Sequence, residues 1–479
     1  MMTSNAPHLE KWKEQLSSAE QMIPLVGQLY RNNTVTIRIF GRRILNNSTI
    51  DIIKAHIFTR QMVGEELDMR KSLELAQIMT GMDLAPARVD LGKLCYRYMH
   101  EGGDPEAFLN EQLASINTGK SEILEEPRDV VLYGFGRIGR LLARILIERL
   151  GSGNKLRLRA IVVRGGKEGD LRKRASLLRR DSVHGTFKGT IRVDEEENAI
   201  IANGVYIKVI YANSPSDVNY TDYGIKNALV MDNTGLWRDE EGLGQHIQRP
   251  GASKVILTAP GKGNIKNIVY GVNHDDIKSS DTILSAASCT TNAITPVLKA
   301  INDEFGIKNG HVESVHSYTN DQNLIDNYHK GDRRGRSAPL NMVLTTTGAA
   351  NAVAKCLPEL KGKLTGNALR VPTPNVSMAI MNLNLERETS KEEVNDYLRE
   401  ISLHSPMQEQ INYTTSSELA SSDLVGSPHV GIVDLLATIV AGDRLVLYVW
   451  YDNEYGYSAQ VFRMMQNAAG INLPSVPAD

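Results

Sequence analysis

The sequence predicts an α/β protein with a mainly helical N-terminal region. The chain has 479 residues and 41% of them are hydrophobic, which is enough for two or three domains with separate cores. From residue 129 onward, runs rich in Val, Ile and Leu alternate with helical segments, as expected for a parallel sheet doubly wound with helices. After residue 310 the strands become longer and alternate apolar with polar residues, which favours a more antiparallel α+β domain.

The N-terminal region, residues 1–127, carries apolar residues at helical spacing. Those near its start that fall on one helix face are Leu9, Trp12, Leu16, Ala19, Ile23 and Val26. Asp104 is predicted to cap a helix whose first residue is Pro105. Residues 34–40, TVTIRIF, alternate as a strand does, whereas residues 116–127 are polar without clear periodicity and are interpreted as a linker.

The remainder of the chain divides into two predicted domains. Residues 128–288 contain short apolar strands, and residues 289–452 contain longer alternating ones. The short strands read DVVLYG, RLRAIVV, NALVMDN and SKVILTAP, and the longer ones HVESVHSYTN, MAIMNLNLE and RLVLYVWYD. A C-terminal helix within residues 453–479 is expected to return to the first of these two domains.

Charge and cysteine content exclude several classes of protein. A formal net charge of -2 predicts neither a nucleic-acid-binding nor a membrane-surface protein. Three widely spaced cysteines, Cys95, Cys289 and Cys356, argue against a disulfide framework and for a reducing compartment. The N-terminus lacks the segments of a signal peptide, and no apolar run approaches membrane-spanning length. We therefore expect a cytoplasmic protein, and no motif predicts a metal site.

A glycine-rich turn follows the first predicted strand. Gly134, Gly136 and Gly139 lie in VVLYGFGRIGRLLARIL, where a strand passes into an amphipathic helix. Glycine lets the backbone turn tightly and approach a pyrophosphate, whose charge then lies at the helix N-terminus. This order of strand, turn and helix predicts a Rossmann-like dinucleotide-binding domain, with a plain strand-to-helix turn as the alternative.

The end of the next strand bears on the choice of coenzyme. In such folds this strand usually ends in an acidic residue that binds the adenosine ribose. Here it ends in Val163, followed by Arg164, and residues 155–180 contain ten Lys or Arg. A guanidinium group pairs well with a ribose phosphate, so NADP is suspected as the coenzyme, with NAD as the alternative. The basic run also fits a solvated surface, and Glu168 or Asp170 could fold back to the ribose.

Cys289 lies in ASCTTNAITP, between hydroxyl side chains and at the start of a predicted helix. A helix N-terminus and a nearby imidazole together stabilise a thiolate, and His316 on a predicted strand could supply the imidazole. Pro296 implies that the helix either starts later or bends. Packing roles for both side chains are the alternative, because their spacing alone does not bring them together.

Seven blocks of sequence between residue 128 and the C-terminus resemble phosphorylating glyceraldehyde-3-phosphate dehydrogenase, in the order found in that family. They read GFGRIGR, DSVHGTF, SCTTN, HSYTNDQNLID, TTTGAANAV, LPELKGKLTGNALRVPTPNVS and WYDNEYGYS. The first 127 residues have no counterpart in the common form of the family. The resemblance implies a homotetramer that converts glyceraldehyde 3-phosphate and inorganic phosphate reversibly to 1,3-bisphosphoglycerate.

The resemblance also implies roles for individual residues. Cys289 attacks the aldehyde carbon to form a thiohemiacetal, His316 takes the hydroxyl proton, hydride passes to the nicotinamide, and phosphate cleaves the thioester. Thr319, Asp321 and Arg370 match the site of the substrate phosphate. The positions that match the site of the attacking phosphate are Ser288, Thr290, Thr347 and Gly348, with Arg336 as a further phosphate-associated residue.

Cofactor contacts follow from the glycine turn and from the resemblance. The predicted cofactor-binding residues are Gly134, Phe135, Gly136, Arg137, Ile138, Gly139, Arg164, Thr234, Gly235, Thr258, Asn453 and Tyr457. Asn453 matches the asparagine that orients the nicotinamide carboxamide, and Tyr457 matches an aromatic residue near that ring. Tyr133 replaces an asparagine and Val163 the ribose aspartate of the family pattern. Since the catalytic positions match, these departures bear on coenzyme choice.

Two other functions fit parts of the sequence. Erythrose-4-phosphate dehydrogenase resembles this family but releases a free acid through attack by water. A non-enzymatic assembly or regulatory protein would use the N-terminal region to recruit a partner and would keep a vestigial site. The N-terminal region contains no motif that suggests chemistry. It is expected to be a structural cap that shapes the oligomer, with a partner-binding module as the alternative.

Overall fold

The computed structural model describes residues 6–119, 124, 126–150 and 155–478. Its α-helices are α1 (Ala6–Asn33), α2 (Thr49–Val63), α3 (Met69–Gly81), α4 (Leu91–Glu101), α5 (Pro105–Gln112), α6 (Arg137–Glu148), α7 (Asp170–Arg179), α8 (Glu240–Ile247), α9 (Cys289–Phe305), α10 (Ala349–Cys356), α11 (Lys391–His404) and α12 (Tyr455–Ala468). Its strands are β1 (Thr36–Ile39), β2 (Arg42–Arg43), β3 (Arg88–Asp90), β4 (Arg128–Tyr133), β5 (Leu156–Val163), β6 (Ile191–Asp194), β7 (Ala199–Ala202), β8 (Val205–Tyr211), β9 (Ala228–Asp232), β10 (Ala252–Leu257), β11 (Lys266–Asn267), β12 (Ile283–Ser285), β13 (Ile307–Ser317), β14 (Val343–Thr345), β15 (Leu364–Val371), β16 (Ser377–Leu385), β17 (Ile411–Thr414), β18 (Gly431–Asp434), β19 (Ile439–Ala441), β20 (Arg444–Tyr451) and β21 (Ser475–Val476). Among the described residues, no helix is long and apolar enough to cross a bilayer.

The chain forms two units, and the first combines the N-terminal region with the C-terminal residues from Ile471 onward. Helices α1 to α5 accompany a four-stranded sheet in the order β2-β1-β3-β21. The predicted strand TVTIRIF is confirmed as β1, which pairs in parallel with β3. Asp104 caps α5 by accepting from the Ala107 amide at 2.8 Å, and Pro105 is the first residue of that helix, as predicted.

The buried face of α1 differs from the predicted one. Met22 and Val26 are buried, whereas Leu9 and Trp12 are 52% and 39% exposed. Apolar spacing predicts that a helix has an apolar stripe, but the neighbouring elements decide which part of the stripe is covered. In this unit the neighbour that α1 contacts most is α3.

The predicted linker begins inside an ordered segment. The Ile116 carbonyl accepts from the Ala85 amide at 2.7 Å, and the Gly119 amide donates to the Asp83 carbonyl at 3.0 Å. Backbone pairing to a distant segment cannot be seen in local periodicity, which is why these residues were assigned to the linker. Residues 120–123 and 125 of the predicted linker lie outside the described part of the chain.

The second unit contains a nine-stranded sheet in the order β11-β12-β10-β9-β4-β5-β8-β7-β6. The strands from β11 to β8 pair in parallel, and β7 and β6 continue the sheet in antiparallel fashion. The short apolar strands of the sequence are confirmed as β4, β5, β9 and β10. Because β4 lies between β5 and β9, the strand order reverses at its carboxyl end, where doubly wound sheets bind their ligands.

The eight-stranded second sheet of this unit is mixed, as the longer alternating strands predicted. Its order is β14-β15-β13-β16-β20-β18-β17, with β19 pairing with β20. Strand β13 is parallel to β15 and antiparallel to β16. This register sets His316 directly opposite Arg370 on β15. It also sets Ser377 of β16 opposite Tyr451 of β20.

The C-terminal segment divides between the two units. Helix α12 packs against α6 within the second unit. Beyond it, Ser475 and Val476 form β21 and pair in parallel with Arg88 and Val89 of β3, a course that the sequence analysis did not anticipate. The expected boundary between domains at residue 288 stays a prediction, because both large sheets belong to one unit.

Candidate active site

The glycine turn between β4 and α6 has the shape of an anion cradle. Gly134 has a φ of 94°, and a Cβ at this position would lie 2.9 Å from the Thr234 side chain. A Cβ on Gly139 would lie 2.4 Å from the Gly134 carbonyl oxygen, so side chains are excluded at both positions. No side chain caps α6 at Gly136, and no described atom lies within 4 Å of the place its Cβ would take. The turn therefore fits a dinucleotide pyrophosphate.

Polar groups at the carboxyl end of β9 hold one side of this turn. The Asp232 carboxylate accepts from the Thr234 amide at 2.8 Å and from the Thr234 hydroxyl at 2.6 Å. Its second oxygen lies 3.1 Å from Nε2 of His246, and both side chains are fully buried. Gly235, with a φ of 62°, continues the loop. Thr234 and Gly235 were predicted from the sequence, whereas Asp232 and His246 were not, because no motif marks their pairing.

Asn233 connects the remaining predicted residues of this cleft. Its Nδ2 donates to the Gly134 carbonyl at 3.3 Å, and its Oδ1 accepts from the Thr258 hydroxyl at 3.1 Å. Phe135 is buried, and Ile138 is half-buried on the first turn of α6. Thr258 and the glycine turn are thus linked through one side-chain amide.

The Arg137 side chain forms ion pairs with carboxylates of the protein. Its Nε donates to Glu454 at 2.9 Å, and its terminal nitrogens pair with Glu454 and Asp181. His184 also contacts Glu454, at 3.0 Å. Burial alone would raise the pKa of the Glu454 carboxyl, but Arg137 and His184 hold that pKa below its ordinary value. The Arg137 backbone, at the first position of α6, remains beside the glycine turn.

The end of β5 combines an apolar tip with basic side chains. Val163 is buried and Arg164 is exposed. Asp170, which could have folded back to a ribose, pairs instead with Arg174 at 2.5 Å. Arg174 also donates to the Arg164 carbonyl at 3.5 Å. Glu168 is exposed on the loop between them.

Cys289 is the first residue of α9, and Ser288 caps this helix by accepting from the Thr291 amide at 3.1 Å. Of the two alternatives stated for Pro296, the later start is wrong, because α9 begins at Cys289 and continues through Pro296. The Ser288 hydroxyl oxygen accepts from the Thr291 amide and thus satisfies one free N–H group of the first turn. The partly buried thiol lies at the positive end of the helix dipole.

His316 lies beside this thiol. Its Nε2 is 3.4 Å from Cys289 Sγ, and its Nδ1 is 2.7 Å from the Ser317 carbonyl oxygen. Arg370 Nη1, which can only donate, lies 2.9 Å from the same carbonyl oxygen and 2.7 Å from Nδ1. Nδ1 therefore faces both an acceptor and a donor, while Nε2 faces the thiol. The sequence-predicted thiol, imidazole and guanidinium are therefore brought together.

Burial and charge set the protonation of this trio. Burial raises the pKa of the Cys289 thiol, while Arg370 and the nearby backbone amides act to lower it. Burial, and next the charge of Arg370, lower the pKa of His316 to about 3. These shifts favour a neutral thiol beside a neutral imidazole, whereas the helix terminus alone favours a thiolate.

Only some of the residues predicted to bind the substrate phosphate lie beside the thiol and the imidazole. Arg370 lies against His316, and Thr319 follows the end of β13 by two residues. Asp321 turns to Arg334, with which it forms an ion pair, and lies 3.8 Å from His329. The carboxylate therefore orients a second arginine toward the loop that follows β13.

The predicted residues for the attacking phosphate occupy two helix starts. Ser288 and Thr290 flank Cys289, and the Thr290 hydroxyl lies 3.0 Å from the hydroxyl of Tyr451. Gly348 is the N-cap of α10, and Thr347 accepts from the Ala349 amide at 3.1 Å. Arg336 is not among these contacts; it pairs with Asp326 at 2.9 Å on an exposed loop.

Asn453 and Tyr457 lie where α12 begins. Asn453 Oδ1 accepts from the Ser377 hydroxyl at 2.9 Å, and the Tyr457 hydroxyl donates to the Ala287 carbonyl, two residues before Cys289, at 2.9 Å. Ser377 and Tyr451 were missed by the sequence analysis. Both lie within quoted sequence blocks, but only the pairing of β16 with β20 shows that they approach the site.

Comparisons with known proteins agree with this geometry. A family model described as "Glyceraldehyde 3-phosphate dehydrogenase, NAD binding domain" matches residues 128–240, and one described as the C-terminal domain of the same enzyme matches residues 288–453. A "Glyceraldehyde-3-phosphate dehydrogenase-like protein" of Pseudomonas aeruginosa is 62% identical over 95% of this chain and all of its own length.

Other relatives match about 70% of the chain. "Glyceraldehyde-3-phosphate dehydrogenase 2" of Trichormus variabilis is 42% identical over 71% of this chain and 98% of its own length. The chloroplastic "Glyceraldehyde-3-phosphate dehydrogenase A" of Zea mays is 42% identical over 69% of this chain and 80% of its own. The region before residue 128 lies outside both family matches but within a chain-long similarity to the Pseudomonas protein. The chain belongs to the glyceraldehyde-3-phosphate dehydrogenase family of oxidoreductases.

Proposed function

We propose that the protein is a phosphorylating glyceraldehyde-3-phosphate dehydrogenase that acts through Cys289 and His316. The observation that carries the proposal is the 3.4 Å contact between Cys289 Sγ and His316 Nε2 at the start of α9. A nucleophile in hydrogen-bond reach of a base, at a helix N-terminus, is the arrangement that thioester chemistry needs.

The proposed reaction uses the neutral thiol-imidazole pair directly. As Sγ adds to the aldehyde carbon, the thiol proton passes to His316 Nε2, and the Cys289 amide stabilises the oxyanion. A nicotinamide dinucleotide bound at the glycine turn supplies the hydride acceptor. His316 Nε2 returns the thiol proton to the oxyanion, which gives the thiohemiacetal hydroxyl. As the carbon then loses hydride, the neutral Nε2 takes the hydroxyl proton, which leaves a thioester on Cys289. Inorganic phosphate adds to the thioester carbon, and the sulfur leaves and takes back the proton held on Nε2.

Two arginines and two helix starts are proposed to hold the phosphates. Arg370, with Thr319, binds the substrate phosphate, and Arg334 is a further candidate because Asp321 orients it. Thr290, Thr347 and the amides at the start of α10 bind the attacking phosphate. These neutral donors hold an anion without removing its nucleophilicity.

We propose NADP as the preferred coenzyme. The tip of β5 offers the exposed Arg164 and no free carboxylate from Asp170, because Arg174 neutralises that group. A ribose phosphate would therefore meet net positive charge, whereas the ribose hydroxyls of NAD would find no acceptor at Val163. Steady-state kinetics with both coenzymes test this, and a strong preference for NAD would overturn it.

A homotetramer is proposed from the family and from an apolar surface on the second unit. Its large exposed side chains between β13 and β15 are Leu324, Ile325, Tyr328, Leu340, Met342 and Leu344. They are between 51% and 90% exposed, and a concentration of large exposed apolar side chains in one segment favours an interface. A second copy of this chain is the proposed occupant.

The decisive experiment compares the wild type with Cys289→Ser in the presence and absence of inorganic phosphate. The wild type should reduce coenzyme only when glyceraldehyde 3-phosphate and phosphate are both present, whereas Cys289→Ser should bind coenzyme without turnover. Cys356→Ser is the matched control, since that cysteine is buried. Turnover without phosphate would instead indicate attack by water and the release of a free acid.

A further inference from the structure

The backbone at Asn453 is fixed by hydrogen bonds of the preceding residue, but these bonds do not fix the orientation of the Asn453 side-chain amide. The buried Asp452 carboxylate accepts from the amides of Glu454 and Tyr455 at 2.9 and 2.8 Å, and from the Gly426 amide at 2.7 Å. These bonds fix the backbone between β20 and α12. They leave open which way the Asn453 amide turns, because its oxygen and nitrogen ends have nearly the same shape.

One hydroxyl decides that orientation. Ser377 Oγ lies 2.9 Å from Asn453 Oδ1 and 3.1 Å from the Ser317 amide nitrogen. The Ser317 amide can only donate, so the Ser377 oxygen accepts from it and keeps its own proton for Asn453. The oxygen end of the Asn453 amide is thereby turned to Ser377, and Nδ2 faces the other way as a donor. Both side chains are buried, which leaves no solvent to replace the bond.

The Ser377 hydroxyl also contacts the strand that carries His316. Ser317 directly follows His316, whose Nε2 contacts the thiol. The Ser317 hydroxyl donates to the carbonyl of Val376, the residue before Ser377, at 2.9 Å. Ser377 therefore ties the strand that carries the imidazole to the residue that is expected to hold the coenzyme ring.

We propose that Ser377 is a positioning residue that fixes the Asn453 amide, and through it the face of the nicotinamide presented to the substrate. The proposal rests on the proposed function. Without the hydroxyl, the Asn453 amide can rotate by half a turn and present its oxygen, instead of Nδ2, to the coenzyme carboxamide. The ring can then bind in either orientation, and hydride reaches both of its faces.

The test compares Ser377→Ala with the wild type in two measurements. Titration calorimetry of oxidised coenzyme should show an affinity about tenfold lower in the variant, the equivalent of one lost hydrogen bond. Transfer from glyceraldehyde 3-phosphate deuterated at C1 should label one face of the ring in the wild type and both faces in the variant. Ser377→Thr, or Ser377→Cys where the added methyl group prevents folding, should restore single-face labelling.

Ser314→Ala is the matched control. It removes an equally buried hydroxyl from the same sheet, one that contacts Tyr451 at 2.8 Å and not Asn453. It should keep wild-type coenzyme affinity and single-face labelling. The proposal is overturned if Ser377→Ala matches the wild type in both measurements, or if Ser314→Ala reproduces its defects. A wild type that binds coenzyme but oxidises no aldehyde would overturn the proposed function, while calorimetry still decides the role of Ser377.

Discussion

At the scale of single residues, the reactive centre is a neutral pair rather than an ion pair in this structure. Burial raises the pKa of Cys289 and lowers that of His316, so both groups are uncharged near pH 7. Arg370 opposes the effect of burial on the thiol pKa, because a positive charge favours a thiolate. It adds to the effect of burial on the imidazole pKa, because the same charge disfavours an imidazolium. Arg370 is thus expected to favour the reactive thiolate, and it is also a candidate for phosphate binding.

Replacing Arg370 should therefore shift the pH dependence of thiol alkylation. Arg370→Gln removes the charge that lowers the pKa of Cys289, so the thiolate forms at higher pH. The rate of reaction with iodoacetamide at pH 7 should fall about tenfold, since alkylation requires the thiolate. Arg336→Gln is the control, because that side chain pairs with Asp326 instead. An unchanged pH profile in Arg370→Gln would contradict the electrostatic role.

At the scale of elements, α12 is tied to the nucleotide-binding turn by buried charge. Glu454, the N-cap of α12, bridges Arg137 at the start of α6 and His184. Asp181 supplies a second carboxylate to Arg137. Burial alone would raise the pKa of the Asp181 carboxyl, but the amides of residues 183 and 184, together with Arg137, lower that pKa to about 2. Helix α12 and the helix of the glycine turn are thus joined by one ionic network.

Glu454→Gln should lower the free energy of unfolding by about 1–3 kcal/mol at pH 7. The folded pKa of Glu454 is below its ordinary value of 4.5, so its contribution is complete above pH 4.5 and is lost as the pH falls through the folded pKa. Urea denaturation at several pH values should therefore show that the wild-type advantage disappears in acid. Glu393→Gln, which breaks a surface ion pair with Arg387, should change stability little. An advantage that persisted at pH 2 would rule out the linkage.

At the scale of the whole molecule, the apolar surface between β13 and β15 should govern assembly. Leu340→Glu places a charge on a side chain that is 81% exposed here, and burying that charge against a second copy is costly. Light scattering after size exclusion should show a species smaller than the tetramer proposed for the wild type. Leu177→Glu, at an isolated exposed leucine, should leave the assembly intact. An unchanged tetramer in Leu340→Glu would remove this surface from the interface.

The C-terminal strand should stabilise the N-terminal unit. Its Pro474 carbonyl accepts from the Arg88 amide at 2.8 Å, and β21 extends the sheet beyond β3. Deleting residues 471–479 should raise hydrogen exchange at the Arg88 amide, because its acceptor is lost. Deleting residues 478–479 alone should not, since β21 is kept. Equal protection of Arg88 in both truncations would show that β21 contributes nothing to this sheet.

Much of the architecture was readable from local pattern. The alternating runs predicted the strands of both large sheets, and the Asp104-Pro105 pair marked the start of α5. Local pattern failed where a partner lies far along the chain. The buried face of α1, the order around Ile116 and the pairing of Val476 with β3 each depend on such a partner.

What the sequence by itself determined is the local chemistry. The glycines of the turn after β4 are required by backbone geometry, and Ser288 with Cys289 opens α9, because these effects act between near neighbours. Only the tertiary structure decided that His316 and Arg370, 27 and 81 residues beyond Cys289, meet its thiol, and that Ser377 meets Asn453. Strand register sets those encounters, and register arises from the burial of whole sheet faces rather than from any single motif.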